Sequence, residues 1–299
     1  MSAYCLCLIG RPNGHDISED LVERAVNLLG ASAKPRWLAE GEAVEIPFAA
    51  GPDHETGRRG TALQETFSDV PADVAVVPEA NRRKALLIAD MDSTIVQQEC
   101  IDEIAEFAGL RTHISAITEK AMRGELVFED ALKERVKLLK DLPAQTLQRV
   151  FDERISLMPG ARTLVQTMRA HGAATALVSG GFSFFTARVA EITGFQSNQA
   201  NILEIEDEAL TGEVREPILG KNAKLQALHH LTEDLGLDRS ETLAVGDGAN
   251  DLPMLKAAGL GVAYRAKPKV AAEAHVRIEH GDLTALLYLQ GHAKTEFRN

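Results

Sequence analysis

The chain has 299 residues, of which 45% are hydrophobic, enough to bury the cores of one large domain and a smaller one. The formal net charge is −12, and no segment concentrates basic residues, so we expect neither nucleic acid nor an anionic membrane as a partner. No apolar run approaches the roughly 20 residues of a membrane span. Three cysteines without a CxxC motif, and first residues that match no secretory signal or transit peptide, predict a cytoplasmic protein.

The first 80 residues predict a small α+β domain. Apolar alternation and turn residues indicate strand 3–9, helix 18–30, strands 34–39 and 43–49, a helix at about 57–67 and strand 73–77. This βαββαβ order is typical of a ferredoxin-like domain. Cys5 and Cys7 point to one face of the first strand, and we interpret them as small buried hydrophobic residues. The polar stretch 78–84 predicts a linker to residues 81–299.

From residue 81 onward, short apolar runs alternate with amphipathic stretches. The runs predict buried strands at 85–89, 173–178, 241–245 and 259–263. The stretches between them predict helices near 160–171, 182–193, 221–236 and 250–258. Repeated strand-helix-strand units indicate an α/β fold, with a doubly wound parallel sheet and helices on both faces.

Three segments depart from this alternation. Residues 97–157 are too long and too periodic for a loop, so they predict an inserted helical cap domain. Residues 202–206 and 209–214 predict a pair of strands around a two-residue turn, which we expect to fold onto the rim of the sheet. The last residues, 292–299, are expected to form a frayed tail.

Acidic side chains follow the predicted strands where each strand ends. Asp90 and Asp92 come after the first buried run, and Asp247 and Asp251 come after the third. The carboxyl ends of parallel strands are where ligands bind in such sheets, so we expect the four acids to meet. An N-cap needs only one side-chain oxygen, and four unneutralised carboxylates would repel one another. Carboxylates without a histidine or cysteine nearby favour Mg²⁺ over zinc.

Other residues at the same rim are suited to holding a phosphate. Ser179, with the backbone N–H groups of Gly180 and Gly181, is expected to open a helix, where the helix dipole favours an anion. Lys224, near the start of the next helix, would add one positive charge, and Lys221 is a competing candidate. Taken alone, Ser179 is equally explained as a simple cap, and either lysine as a solvated surface charge.

Two charged residues of the predicted cap have alternative interpretations. Arg135 interrupts a helical stripe that it shares with Phe128, Leu132 and Leu139. It either extends its stem over the core or faces inward and requires an anionic partner. Glu99 precedes an amphipathic helix, where an acid is commonly only a partner of the helix dipole.

The ordered set of motifs resembles the haloacid dehalogenase-like phosphatases. The segments that carry the resemblance are Asp90-Met-Asp92-Ser-Thr94, Ser179-Gly-Gly, a lysine, and Gly246-Asp247-Gly-Ala-Asn250-Asp251. The cap is similar to that of members acting on phosphoserine, through segments 99–103, 121–124 and 135–143 and through Phe128. Met91 departs from the pattern, because an aromatic residue is frequent there, and this affects local packing only.

The resemblance implies a role for each matching residue. Asp90 would be the nucleophile and Asp92 the general acid and base. Mg²⁺ would be held by Asp90, the backbone carbonyl of Asp92 and Asp247, with Asp251 behind these ligands. The phosphate would contact the residues Ser179, Gly180, Lys224 and Asn250.

The resemblance also implies the substrate. Arg135 would bind its carboxylate, Glu99 its ammonium group, and Met122 with Phe128 would close the site to water. The implied activity is Mg²⁺-dependent hydrolysis of O-phospho-L-serine to L-serine through an aspartyl-phosphate, the last step of serine biosynthesis. Two alternatives remain open. In one, the protein hydrolyses another small phosphomonoester, such as phosphoethanolamine or phosphothreonine, or transfers the phosphoryl group to homoserine. In the other, it is a non-catalytic amino-acid sensor.

The predicted N-terminal domain, residues 1–80, weakly resembles the ACT-type regulatory modules. The resemblance rests on element order alone, because no motif in the segment maps onto those modules. Binding an amino acid, forming a homodimer and acting as a scaffold are the roles that this resemblance leaves open.

Overall fold

The structure, a computed structural model, describes residues 2–30, 34–50, 66–67, 69–122, 125–220 and 222–299. Among the described residues, its N-terminal part contains the helix α1 (Glu19–Leu29) and the strands β1 (Ser2–Ile9), β2 (Arg36–Ala39), β3 (Ala43–Ala50) and β4 (Asp73–Pro78). The strands form an antiparallel sheet in the order β2–β3–β1–β4, which agrees with the ferredoxin-like arrangement expected from the sequence. Most of the helix predicted at 57–67 lies outside the described residues.

The two faces of this sheet are buried against different partners. Along β1, Leu6 and Leu8 pack with α1, while Cys5, Cys7 and Ile9 face the rest of the protein. This alternation is the two-residue period of a strand, and both cysteines are fully buried as small hydrophobic residues. The second face therefore belongs to the core of the whole chain.

The main sheet has six parallel strands in the order β12–β11–β10–β5–β6–β7. They are β5 (Leu86–Ala89), β6 (Ala174–Phe182), β7 (Ser197–Asn201), β10 (Thr242–Gly246), β11 (Leu260–Tyr264) and β12 (Val276–Ile278). The helices that connect and flank them are α6 (Ala161–Ala170), α7 (Ser183–Thr193), α8 (Ala223–Asp234), α9 (Leu252–Ala257), α10 (Pro268–Glu273) and α11 (Ala285–Leu289). The predicted α/β doubly wound class is confirmed.

The predicted helical cap lies between β5 and α6. It consists of α2 (Cys100–Phe107), α3 (Arg111–Met122), α4 (Phe128–Lys137) and α5 (Gln145–Arg154). Its two ends meet in an antiparallel bridge between Val96 and Leu157, where Met158 N–H donates to the Ile95 carbonyl at 2.8 Å. This narrow stem holds the cap over the carboxyl ends of the strands.

The hairpin of β8 (Leu203–Glu206) and β9 (Ala209–Val214) forms as predicted, with Asp207 and Glu208 at positive φ in its turn. Its position differs from the expectation, because it does not fold onto the rim of the sheet. Leu210 instead exchanges backbone hydrogen bonds with cap residues 141–142. The hairpin thus supports the cap.

The predicted linker and the last residues of the chain are both fixed in place by hydrogen bonds. In the predicted linker, Arg82 and Lys84 are each only 8% exposed, and Lys84 Nζ donates to the carbonyls of Asn81 and Ser240. The expectation of a frayed tail at 292–299 is wrong, since Arg298 N–H donates to Thr167 Oγ1 at 2.8 Å. No helix among the described residues is long and apolar enough to cross a membrane.

Candidate active site

The candidate site lies at the carboxyl ends of the three central strands. Ala89, the last residue of β5, is in register with Val245 of β10 on one side and Leu177 of β6 on the other. Residues that follow these positions therefore leave the buried sheet side by side. Because the strands are apolar and buried on both faces, the first polar residues appear where the chain emerges from the sheet.

Three carboxylates meet at this point. Oxygen atoms of Asp90, Asp247 and Asp251 all lie within 4.8 Å of one another. Burial raises the pKa of Asp90 well above its usual value, and the neighbouring Asp251 raises it further. Burial also raises the pKa of Asp247, with Asp251 as the second cause. A cluster of carboxylates that resists ionisation in this way is suited to a divalent cation.

Lys224 supplies one positive charge to this cluster. Its Nζ lies 2.7 Å from Asp90 Oδ1 and 2.5 Å from Asp251 Oδ1, and the residue is 5% exposed. Burial alone would lower the pKa of Lys224, but the two carboxylates outweigh it and raise the pKa. One ammonium cannot balance three ionised carboxylates, so full ionisation of the cluster requires further positive charge. The competing candidate, Lys221, lies outside the described residues.

Asp92 is turned away from this cluster. Its Oδ1 accepts a hydrogen bond from Cys100 N–H at 2.9 Å, and its Oδ2 accepts one from Ser179 Oγ at 3.2 Å. Burial raises the pKa of Asp92 as well. The two aspartates of the first motif are therefore held in different surroundings, Asp90 at the acidic cluster and Asp92 at the boundary with the cap. Burial also raises the pKa of the Cys100 thiol, which makes a reactive thiolate unfavourable.

A tight turn separates the two aspartates from the cap. The Met91 carbonyl accepts hydrogen bonds from the N–H groups of Thr94, Ile95 and Val96, and Ser93 adopts a left-handed φ of 54°. The turn brings Thr94 Oγ1 within 3.2 Å of Asp247 Oδ1, to which it donates. This hydrogen bond links the segment that follows β5 to the segment that follows β10.

The segment predicted to bind phosphate differs from the expectation in one respect. Ser179, Gly180 and Gly181 do not open a helix, because β6 continues through them to Phe182 and α7 begins at Ser183. Ser179 Oγ accepts a hydrogen bond from Gly181 N–H at 2.9 Å. A Cβ added at Gly181 would approach Asp92 Oδ2 to 2.8 Å, so only glycine allows the strand to pass so close to Asp92.

Asn201, which sequence reasoning missed, fixes this segment from behind. The buried side chain donates from Nδ2 to the Gly180 carbonyl at 2.9 Å and accepts at Oδ1 from Leu219 N–H at 2.7 Å. Asn201 ends β7, so the rule that polar residues at strand ends form the site would have found it. That strand itself was not predicted.

A cavity of about 540 Å³ separates the acids from the cap. Core residues Asp90, Asp92, Ser179, Gly180 and Asn250 line its floor. The residues that the cap contributes are Glu99, Ile101, Asp102, Thr118, Leu126, Phe128, Leu132 and Arg135. Phe128 closes against Gly180, where an added Cβ would lie 3.0 Å from the ring. The side chain of Met122, predicted to help seal the site, is outside the described part of the structure.

The two charged residues predicted for substrate recognition both reach this cavity. Glu99 Oε1 accepts a hydrogen bond from Ser93 Oγ at 2.7 Å, and burial raises the pKa of Glu99 to about 7, with Asp92 as the second cause. Arg135 Nε donates to the carbonyl of Ala131 at 3.1 Å. Arg135 forms no ion pair with any described residue, so its charge is available to a ligand.

Lys267 and Asp102 also line the cavity, and neither was predicted. Lys267 lies just beyond the end of β11, and its backbone N–H donates to the Asp247 carbonyl at 3.2 Å. Asp102 lies three residues after Glu99 in the sequence, within the first turn of α2. The rules that identified the other residues also apply to these two. Lys267 follows the end of a strand, and Asp102 lies at helical spacing from Glu99.

The chain is similar to known hydrolases over most of its length. Residues 87–256 match the haloacid dehalogenase-like hydrolase family. A phosphoserine phosphatase of Haemophilus influenzae is 45% identical over 223 residues, which cover 74% of this chain and 71% of that protein.

Solved structures share the architecture as well. A haloacid dehalogenase family hydrolase of Salmonella enterica serovar Typhi superposes with a TM-score of 0.85 at 32% identity, covering 97% of this chain and 98% of that one. A probable phosphoserine phosphatase of Vibrio cholerae superposes with a TM-score of 0.75 at 32% identity, covering 99% of this chain and 88% of that one. Both similarities extend over the N-terminal sheet as well as the main sheet.

Proposed function

Because the chain belongs to the haloacid dehalogenase-like hydrolases, we propose that it hydrolyses O-phospho-L-serine to L-serine and phosphate, the last step of serine biosynthesis. The observation that carries the proposal is the pair Glu99 and Arg135, which face one cavity above Asp90. A phosphate bound at Asp90 would leave the ammonium and carboxylate groups of the substrate to these two charges. Substrates that lack either group would lose a partner.

The acidic cluster fits a magnesium ion. Its donors are carboxylate oxygens, with no histidine or cysteine among the described residues that meet there, and hard oxygen donors suit Mg²⁺. Asp90, Asp247 and the backbone carbonyl of Asp92 would hold the ion, with Asp251 behind them. When bound, the ion would neutralise the carboxylates and the phosphate oxygens.

In the first half of the proposed reaction, a carboxylate oxygen of Asp90 attacks phosphorus and the bond from phosphorus to the serine oxygen breaks. Asp92, whose pKa is raised by burial, donates its proton to the departing serine oxygen. Lys224, already in contact with Asp90, balances the charge of the transferred phosphoryl group. L-serine leaves with the proton that Asp92 supplied.

In the second half, the aspartyl-phosphate on Asp90 is hydrolysed. Asp92, now ionised, removes a proton from water, and the oxygen of that water attacks phosphorus. The bond between phosphorus and Asp90 breaks, which releases inorganic phosphate and restores both carboxyl groups to their starting states. Phe128 and the rest of the cap exclude other water during this step.

The proposal is tested by phosphate release from the purified chain. O-phospho-L-serine, O-phospho-L-threonine and phosphoethanolamine are compared with and without EDTA, and Mg²⁺ is then added back. We expect phosphoserine to be preferred, EDTA to stop turnover and Asp90→Asn to abolish it with every substrate. If the protein prefers phosphoethanolamine to phosphoserine, the proposed substrate is wrong. Turnover that does not depend on Mg²⁺ would contradict the proposed cofactor. Full turnover by Asp90→Asn would exclude the proposed intermediate.

A further inference from the structure

A second group of metal-ligating side chains lies apart from the candidate active site, where the C-terminal segment meets α6. His171 is the C-cap of α6, while His292 and Glu296 belong to the segment after α11. Glu296 Oε1 lies 3.8 Å from His171 Nε2 and 3.5 Å from His292 Nδ1. All three ligand atoms fall within 4.8 Å of one another. Two imidazoles and one carboxylate are a ligand set that proteins use for zinc.

His292 provides an independent indication of a missing ligand. Its side chain is only 2% exposed, and its Nδ1 is buried with no hydrogen-bond partner among the described residues. The 3.5 Å to Glu296 Oε1 is too long for a good N–H···O bond. A buried nitrogen left unpaired destabilises the folded protein, and a bound cation at the cluster would remove that cost.

The cluster differs chemically from the acids at Asp90. The carboxylates there suit a hard cation, whereas imidazole nitrogens favour zinc and other transition metals over Mg²⁺. His171 and Glu296 keep side-chain exposures of 33% and 30%, so an ion has an entry path and room for a water ligand.

Arg83 competes for the same carboxylate. Its Nη2 lies 2.8 Å from Glu296 Oε1, and its side chain is 52% exposed. Glu296 Oε2 accepts a hydrogen bond from Ala293 N–H at 2.8 Å, which fixes the carboxylate in place. A long exposed arginine can move into solvent when a cation arrives, so Arg83 would weaken metal binding without preventing it.

We propose that His171, His292 and Glu296 bind a transition-metal ion, Zn²⁺ by their chemistry, and thereby attach the C-terminal segment to α6. The same segment reaches the N-terminal sheet, since Lys294 Nζ lies 2.6 Å from Glu42 Oε2. The ion would therefore strengthen the contact of the C-terminal segment with both parts of the chain. An ion that binds only the folded protein stabilises it by about 2.7 kcal/mol at a concentration 100 times its dissociation constant.

The proposal is tested on the full chain after chelator treatment, with excess Mg²⁺ present to occupy the acidic cluster. Micromolar Zn²⁺ is expected to raise the melting temperature by about 5 °C. His171→Ala and Glu296→Gln are expected to abolish the shift. His230→Ala is the matched control, because His230 lies 3.4 Å from Asp234 on an exposed helix surface and should leave the shift unchanged.

Two further measurements separate this site from the active site. Co²⁺ bound by two histidines in a four-coordinate site gives intense visible absorption, which we expect in the wild type and not in His171→Ala. Arg83→Ala should tighten Zn²⁺ binding by about tenfold, the effect of removing about 1.4 kcal/mol of competition. The proposal is overturned if Zn²⁺ does not stabilise the wild type, or if His171→Ala keeps both the shift and the Co²⁺ spectrum.

Discussion

Arg135 and Glu99 bring opposite charges into one cavity from two different elements of the cap. Burial lowers the pKa of Arg135, which means that the protein interior disfavours its charge. The guanidinium nevertheless has no carboxylate partner among the described residues. Its hydrogen-bond partners, the Ala131 carbonyl and Thr118 Oγ1, are neutral, so an anionic ligand would stabilise this half-buried cation. Burial likewise disfavours the negative charge of Glu99 and raises its pKa to about 7. A cationic group of a ligand would stabilise that charge.

The first prediction concerns Arg135→Ala. We expect kcat/KM for O-phospho-L-serine to fall about 10- to 100-fold, mainly through KM, because charge-assisted hydrogen bonds contribute about 1.5–3 kcal/mol. Phosphoethanolamine lacks the carboxylate, so its kcat/KM should change little. Steady-state kinetics with the two substrates measures the difference.

Lys133→Ala is the matched control for that experiment. Lys133 lies on the same helix as Arg135, but its side chain is 54% exposed and pairs with Glu216 outside the cavity. It should leave both substrates unaffected. If Arg135→Ala lowers kcat/KM equally for phosphoserine and phosphoethanolamine, then Arg135 does not bind the substrate carboxylate.

The second prediction is a pH dependence that comes from Glu99. Below a pKa of about 7 the carboxyl group is protonated and neutral, and it then attracts the substrate ammonium weakly. The ratio of kcat/KM between the wild type and Glu99→Gln should therefore rise with pH through about 7 and level off above it. Using one substrate for both proteins cancels the ionisation of its phosphate. A ratio that is constant from pH 5.5 to 8.5 would contradict the role given to Glu99.

The sequence predicted that Asp90, Asp247 and Asp251 lie close together, because their positions follow from the strands. Asp92, which was expected to join them, is instead held by Cys100 N–H and Ser179. Asp90 and Asp247 had to meet once β5 and β10 were recognised as parallel buried strands. The partners of Asp92 could not be predicted in the same way. Its hydrogen bond from Cys100 N–H depends on how the turn enters the cap, which no periodicity in the sequence records.

At the scale of elements, the extension of β6 shapes the segment that is proposed to bind phosphate. The sequence suggested a helix start at Ser179, since Ser and Gly are common at helix N-termini. The strand instead continues because Phe182 pairs with Asn201 of β7. Strand β7 is polar and exposed over most of its length, so its sequence carries no apolar pattern, and neither β7 nor the continuation was predicted.

The third prediction follows from this pairing. Asn201→Ala removes the donor to the Gly180 carbonyl and the acceptor of Leu219 N–H together. Losing buried hydrogen bonds costs roughly 1–3 kcal/mol, so the melting temperature should fall by several degrees. The backbone at Gly180 should also become less well placed, which raises KM and weakens inhibition by inorganic phosphate.

Asn198→Ala provides the comparison on the same strand. Asn198 is exposed and accepts a hydrogen bond from Thr186 Oγ1 at 2.9 Å, away from Gly180. It should lower stability less than Asn201→Ala and leave phosphate inhibition unchanged. Equal effects of the two variants on phosphate inhibition would show that Asn201 does not position the phosphate-binding segment.

At the scale of the whole molecule, the N-terminal sheet and the main sheet share buried contacts. Tyr288 Oη donates to Glu42 Oε1 at 2.7 Å, and the carboxylate of Asp73 accepts from the N–H groups of Glu279 and Gly281. These contacts join residues more than 200 positions apart, so neither local pattern nor composition could reveal them. The division of the chain at residue 80 and the ACT-like role of its first part therefore stay predictions.

Arg82 is the central residue of this junction. Its side chain is 8% exposed, forms an ion pair with Glu45 at 2.7 Å, and donates to the Leu289 carbonyl at 2.9 Å. Glu45 also pairs with the exposed Arg36 at 2.5 Å, so removing Arg82 leaves the Glu45 charge partly compensated. We therefore expect a cost below the about 3–5 kcal/mol that is typical of an uncompensated buried charge. The neighbouring Arg83 is half exposed, so its removal should cost less than about 1 kcal/mol.

The last prediction is that both parts of the chain unfold together and that Arg82→Met lowers the temperature at which they do so. Trp37, the single tryptophan of the chain, lies on β2 and reports on the N-terminal sheet by its fluorescence, whereas residual phosphatase activity reports on the main sheet. Because Cys7 and Val77 belong to the same core as Leu286, the two signals should be lost at one temperature in the wild type and at one lower temperature in Arg82→Met. Arg83→Met should melt close to the wild type. A loss of Trp37 signal well before activity would mean that the N-terminal sheet is an independent folding unit.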